Sequence, residues 1–226
     1  NVASTTLDAA LKVERFISKS NYAGFDPYDV KGTPVFMWAF SIPRTPWMRN
    51  VQRKLVLAPL IIGEMYLPRT IRWLFGIKPT MNAKGRSLIA KAYLNLFSAT
   101  GKSDWKKKAL ESLDWLLKNR SDGYTHHCWG YPFDWDSGVV VPAFTPASVV
   151  TAAAFDAFWQ AWEITGERCY LDVCESICRF FVDDLNIANL DTQTVCFSYT
   201  PLDHFQVHNT NLLVASCLLR CGRQVN

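Results

Sequence analysis

Thr100-Gly101-Lys102-Ser103-Asp104-Trp105 returns further along the chain as Thr165-Gly166-Glu167-Arg168-Cys169-Tyr170. In each copy the Thr-Gly pair ends one helical stretch, because glycine lets the chain leave a helix through the left-handed region, and an aromatic residue then opens the next stretch. Asn82 caps a helix running through Phe97, and Asp104 to Lys118 forms its partner with Trp105, Ala109, Leu113, Leu116 and Leu117 inward. In the second copy Thr145-Pro146 starts a helix that Thr165-Gly166 ends, and another follows from about Tyr170 to Asp184. Glu111-Ser112 and Glu175-Ser176 are matching landmarks with a one-residue slip, and Phe144-Thr145-Pro146 matches Tyr199-Thr200-Pro201, which starts a last helix reaching Leu219. Repeats of roughly sixty residues, each a helical hairpin plus a long connector, exceed the periods of the short helical solenoids. The pattern predicts an all-α fold, an α/α toroid of helical hairpins in one domain spanning 1–226. The last helix has no partner before Asn226, so the expected ring is incomplete.

Ahead of the repeat, Leu7 to Lys19 is amphipathic, with Leu7, Leu11, Val13, Phe16 and Ile17 on its apolar side. The stretch from Tyr22 to Trp47, rich in Gly, Pro and aromatics, reads as a loop. From about Arg49 to Phe75 the chain reads as helical, bent or broken at Pro59 and Pro68. The apolar run from Leu55 to Ile77 is interrupted by Pro59, Glu64, Pro68, Arg69 and Arg72, which argues against a spanning helix and for a buried or groove-lining one. Arg49, Arg53 and Lys54 just before it make a surface-lying membrane contact the lesser alternative.

With 226 residues, 49% hydrophobic and 19% charged, the chain is globular and can bury one large core or two small ones. Its net charge of +4 is dispersed, which excludes a nucleic-acid footprint, and Lys106-Lys107-Lys108 reads as a solvated helix face. Seven cysteines without a CxxC pair give neither a zinc ribbon nor a disulfide framework. Cys174 with Cys178, and Cys217 with Cys221, read as small buried hydrophobes on helices, and the setting expected is reducing and cytoplasmic. No secretory signal opens the sequence, and Asn1 in place of Met indicates a trimmed chain.

Chemistry concentrates in two stretches. In Phe197 to Asn211, Thr200 reads as the cap of a helix beginning at Pro201, with Asp203 in its first turn and His204, His208 and Asn211 on one face. Laying Thr145-Pro146 over Thr200-Pro201 sets Ser148 against Asp203, Val149 against His204, Ala153 against His208 and Ala154 against Asn209. Packing therefore does not demand imidazoles there, which points to a site grafted on the scaffold. The other reading is a structural hydrogen-bond network between hairpins. The second stretch is the connector Tyr124 to Gly138, whose aromatic rings beside carboxylates suit a sugar, since its C–H faces stack on rings while its hydroxyls take hydrogen bonds. Trp129, Tyr131 and Trp135 are the candidate platforms, with Asp136, Tyr199, Asn209 and Asn211 as hydrogen-bonding partners. Asp134, Asp203, His204 and His208 are the candidate acid/base groups. His204 and His208 at helical spacing could share a metal with His126, His127 or Cys128, but the glutamate of a zinc-protease helix is missing between them, so neither metal nor cofactor is expected.

The motifs Gly24-Phe25-Asp26-Pro27-Tyr28-Asp29, Asn82-Ala83-Lys84-Gly85, Cys128-Trp129-Gly130-Tyr131-Pro132-Phe133-Asp134-Trp135 and Phe197 through Asn211 resemble a family of prokaryotic α/α-toroid proteins. That family is related to the six-hairpin glycosidase superfamily and is often encoded among polysaccharide-biosynthesis genes. The chain departs from it at Val30-Lys31, where members carry Gly-Leu, and members continue past the last helix to complete the ring. The resemblance implies a carbohydrate-related role, and the related superfamily hosts hydrolysis, lyase and epimerase chemistry. The expectation is a carbohydrate-active protein of polysaccharide biosynthesis or modification with a glycan as partner. The alternative is a non-catalytic glycan-binding or scaffold subunit of a polysaccharide-synthesis complex, peripheral to the inner membrane.

Overall fold

The structure is a computed structural model that describes residues 2–41, 47, 54–55 and 58–225. Its contacts divide the chain into two compact units, one of Asn1–Asn82 with Asp134–Asp136, the other of Ala83–Phe133 with Ser137–Asn226.

The first unit contains α1 (Val2–Lys19), a 3-10 turn (Asp29–Gly32), α2 (Pro34–Ser41), α3 (Ala58–Tyr66) and α4 (Pro68–Leu74). Helix α2 corrects the reading of Tyr22 to Trp47 as loop. Its sequence PVFMWAFS is apolar almost throughout, so it shows no 3.6-residue contrast, and only Pro34 at its first position marks it as a helix. The expected break at Pro68 is present, with Leu67 separating α3 from α4 and Pro68 in the first turn of α4. Arg49, Arg53 and the onset of the expected helical region lie outside the described residues, as do residues 56–57 beside Pro59.

The motif from Gly24 to Asp29 fastens this unit. Gly24 and Thr80 exchange backbone hydrogen bonds at 3.0 and 2.9 Å. The Asp26 carboxylate accepts from the Tyr28 N–H at 2.9 Å and from Asn82 Nδ2 at 3.2 Å. Arg72, buried on α4, donates from Nε to Asp29 Oδ2 at 3.1 Å and from Nη2 to the Asp26 carbonyl at 3.0 Å. A buried guanidinium is tolerable only when so paired. Gly32 is required by contact, since a Cβ there would lie 2.1 Å from the Asp134 carbonyl oxygen.

The second unit carries the repeat, as α5 (Ala83–Thr100), α6 (Ser103–Lys118), α7 (Ser148–Thr165), α8 (Arg168–Arg179), a π-helical turn (Phe180–Asp184) and α9 (His208–Val225). Helices α5 and α6 form one hairpin and α7 and α8 the next, while α5, α7 and α9 lie side by side in one layer with α6 and α8 behind them. Two layers of paired helices make this all-α unit an arc of an α/α toroid. The two Thr-Gly corners are built alike. Thr100 Oγ donates to the Leu96 carbonyl at 2.6 Å and Thr165 Oγ to the Ala161 carbonyl at 2.8 Å, and Gly101 and Gly166 take φ of 69° and 72°. Just beyond each corner a ring packs back on the preceding helix, Trp105 on Tyr93 at 5.8 Å and Tyr170 on Phe158 at 6.3 Å. Gly166→Ala forces a Cβ into the left-handed region and is expected to cost about 1 kcal/mol, read as a lowered urea midpoint with unchanged m-value.

Helix α7 is central and is covered on most of its circumference. Its Phe155 and Phe158, with Leu113, Leu116, Ile177, Phe180 and Phe181 from neighbouring elements, are fully buried. Each such side chain contributes about 1.5–3 kcal/mol by leaving water. Both long connectors, 119–147 and 185–207, join the end of a back-layer helix to the start of a front-layer helix, so both lie at one end of the array. The second contains an antiparallel pair of short strands, Ile187–Asn189 and Val195–Phe197, a feature absent from the sequence reading.

Helix α7 begins at Ser148, later than the expected Thr145-Pro146. Phe144 sits at φ 63°, Gly130 bridges Pro146, and the Ala147 N–H donates to the Trp129 carbonyl at 2.9 Å, which keeps the chain extended up to that point. Gly130 admits this approach because a Cβ would stand 2.0 Å from the Thr145 carbonyl oxygen.

Candidate functional site

The last helix also starts later than the sequence indicates, at His208 rather than Pro201. Residues 201–207 form a turn and an irregular segment, so His204 and His208 do not share a helical face, and the i, i+4 pairing considered for a metal does not exist. The reason lies in Asp203. Its buried carboxylate accepts from the backbone N–H groups of Tyr199 (3.1 Å), Thr200 (2.7 Å) and Phe205 (2.9 Å) and from Thr200 Oγ (2.6 Å). Such local side-chain bonding competes with helix formation, and here it wins. Asp203, a sequence candidate for acid/base chemistry, is thereby occupied in shaping this loop.

Asn211 is likewise engaged. Its Oδ1 accepts from the Phe197 N–H at 2.7 Å, and its Nδ2 donates to the carbonyls of Phe197 at 2.9 Å and Val207 at 3.0 Å. It clamps a strand end to the start of α9. Tyr199 is half-buried, and its carbonyl receives the Ser148 N–H at 2.9 Å and Ser148 Oγ at 2.8 Å, which joins the second connector to the start of α7. His204, His208 and Asn209 are exposed at that same end.

Trp129, a candidate sugar platform by sequence, is 0% exposed, stacks on Phe158 at 6.0 Å and donates its indole N–H to the Leu116 carbonyl at 2.8 Å. With no open ring face it serves packing. Tyr131 is half-buried and stacks on Phe133 at 5.5 Å. Asp134 is exposed, and Trp135 and Asp136 are half-buried; these three belong to the first unit.

Within the second unit, the first connector gathers groups of complementary chemistry. His126 Nε2 lies 3.2 Å from Asp183 Oδ2 on the π-helical turn. His127 Nδ1 lies 2.9 Å from Ser176 Oγ, which also accepts the His127 backbone N–H at 2.9 Å. Burial, then the Arg120 guanidinium, then His126 hold His127 below the ordinary imidazole range, so the neutral ring is favoured. Tyr124 packs edge-on against Phe180 at 6.1 Å, and burial, with Cys128 and Asp184 adding to it, pushes its phenol upward, keeping it a proton donor. Among the described residues Asp184 Oδ2 is buried without a hydrogen-bond partner. Beside this cluster opens a basin of about 500 Å³ lined by Lys118, Arg120, Asp122, Tyr124, Phe144 and Thr145. A π-helical turn of this kind re-aims side chains, and here it delivers Asp183 to His126.

The sequence reading mentioned His126 and His127 only as potential metal ligands and missed Arg120, Asp183 and Asp184. No spacing rule links the first connector to the turn after α8, so nothing in the sequence announced the His126–Asp183 pair. A second missed feature is Asp156 on α7, paired with Lys91 of α5 at 2.8 Å and Arg220 of α9 at 2.7 Å. Arg220 lies over Trp159 at 4.7 Å, so the front layer is joined by charge on its open face as well as by packing.

No family model matches the chain, and no curated protein matches it. Among solved structures, a glycoside hydrolase family 76 mannosidase from Bacteroides thetaiotaomicron is similar with a TM-score of 0.45 and 14% identity, over 62% of this chain and 38% of that one. The chain therefore spans well under half the length of that neighbour.

Proposed function

We propose that the chain is a carbohydrate-active protein of polysaccharide biosynthesis or modification, which takes a glycan at the connector end of its second unit and performs acid/base chemistry on it. The observation that carries the reading is the pairing of His126 with Asp183, two residues along the connector from Tyr124, which helps line a basin that mixes ring faces with charged groups. Tyr124 and Phe144 offer apolar surface to sugar C–H groups, while Lys118, Arg120 and Asp122 offer hydrogen bonds and favour acidic sugars through the two cations. Asp183 orients the His126 ring, so that the imidazole can pass a proton to or from a sugar oxygen. His204 and His208, exposed at the same end, are further proton carriers or hydroxyl ligands.

Calorimetric titration with a panel of neutral and uronate-containing oligosaccharides tests the proposal. Binding is expected to favour the acidic members and to weaken at least tenfold in Arg120→Ala and in Tyr124→Ala, about the loss from one charge-assisted hydrogen bond. For the bound members, His126→Ala and Asp183→Asn should lower turnover by roughly 10²-fold or more with affinity retained. Absence of binding across the whole panel would reject the assignment.

A further inference from the structure

We propose that the α3–α4 pair of the first unit is a docking surface for an anionic lipid bilayer. Helix α3 has no buried residue, and Ile61, Ile62, Met65, Tyr66 and Leu67 are all at least half exposed. On α4, Trp73 is 80% and Leu74 64% exposed. Gly63 on α3 lets the Ile71 side chain of α4 pack against it, so close that an added Cβ would lie 2.9 Å from the Ile71 Cδ1. Arg72 anchors the opposite side of α4 through its ion pair with Asp29 at 3.0 Å, and this turns Trp73 and Leu74 outward. So many exposed apolar side chains on two adjoining helices are costly in water and call for an occupant.

The charge and ring chemistry name that occupant. Between Trp47 and Lys78 the sequence carries six Lys and Arg residues and one acidic residue, Glu64. Of these, Lys54, Arg69 and Lys78 are exposed. Cations interleaved with exposed Trp and Tyr rings match the anionic headgroup region, where aromatic side chains settle and basic ones meet lipid phosphates. Among the described residues no helix is long and apolar enough to cross a membrane, so the pair would lie in the interface rather than span it. A glycan-modifying site carried by such a surface would work on glycans presented at the membrane, but the docking surface stands whatever that site does.

Flotation of the intact chain with vesicles tests the inference. The protein is expected to float with vesicles containing one-third phosphatidylglycerol and to do so several-fold less with pure phosphatidylcholine. Ile62→Glu with Trp73→Glu should reduce the floated fraction at least tenfold, and Lys54→Glu with Arg69→Glu should remove the preference for the anionic lipid. Both pairs are solvent-facing, so the circular dichroism spectrum and melting temperature should match those of the unaltered protein. Brominated lipid should quench the fluorescence less in Trp73→Phe, which reports insertion at that ring independently of the charge changes. Failure to float with either vesicle overturns the proposal. So does equal flotation by the doubly substituted proteins, or a concentration-dependent dimer in size-exclusion chromatography that Ile62→Glu with Trp73→Glu abolishes, since a second copy would then cover the face.

Discussion

Raising the pH from 7 to 10 is expected to remove at least about 4 kcal/mol of folding stability, the share of three fully buried thiols alone. Cys128, Cys174 and Cys217 are fully or almost fully enclosed. Burial, reinforced by Asp184 and only partly offset by Arg120, pushes the Cys128 thiol up to about 12, and burial with Asp156 does the same to Cys217. Burial and the neighbouring Cys221 and Cys217 raise Cys174 as well. The unfolded chain ionises its thiols near 9.0, while the folded chain retains those protons. The folded state therefore holds more protons above that pH, and its stability is complete below pH ~9 and falls as the pH rises. Each thiol costs about 1.4 kcal/mol at one pH unit above its unfolded value. Urea titrations from pH 7 to 10 in the presence of a reductant would show this, with Cys217→Ala losing about 1.4 kcal/mol of the pH dependence. A flat profile across that range would mean that the thiols ionise in the folded state. Of the four cysteines read from sequence as small buried hydrophobes on helices, Cys174, Cys217 and Cys221 are buried, while Cys178 is half-buried and its thiol donates to the Cys217 carbonyl at 3.7 Å.

Asp203→Ala is expected to destabilise the protein by about 3 kcal/mol or more, since it strands three backbone N–H groups and a hydroxyl in a buried loop. Asp203→Asn should lose less, because the amide oxygen still accepts some of those bonds. The substitution bears on mechanism as well. A carboxylate that acts on substrate would show a fall in turnover out of proportion to the fall in stability, whereas one that shapes the loop loses both together. Asp203→Asn with wild-type stability and abolished turnover would restore the acid/base role that the sequence suggests.

The fold was legible where chemistry is local. Thr-Gly corners, alternating helical stretches and the aromatic residue after each corner act within a few residues of one another, and each reappears in the structure with matching hydrogen bonds. The helix starts were misplaced because Thr-Pro satisfies a capping rule, strengthened at Thr200 by Asp203 three positions on, that other hydrogen bonds then overrule. At Ala147 the overruling partner is the Trp129 carbonyl, and at Asp203 it is a ring of local N–H donors. Helix α2 was hidden because an evenly apolar segment has no amphipathic contrast.

Among candidate site residues, side-chain type indicated chemistry but not direction. An indole in an aromatic-rich connector can face a ligand or the core, and for Trp129 the deciding fact is the Leu116 carbonyl waiting inside. Asn211 could have addressed a sugar, yet a strand end at Phe197 takes both ends of its amide. By itself the sequence determined that this protein is built of helical hairpins with long connectors, because those features follow from backbone propensities and periodic burial along one chain. Tertiary structure alone decided which polar groups meet, as with His126 and Asp183 or Asp156 with Lys91 and Arg220, because pairing across helices depends on distances that no spacing in sequence encodes.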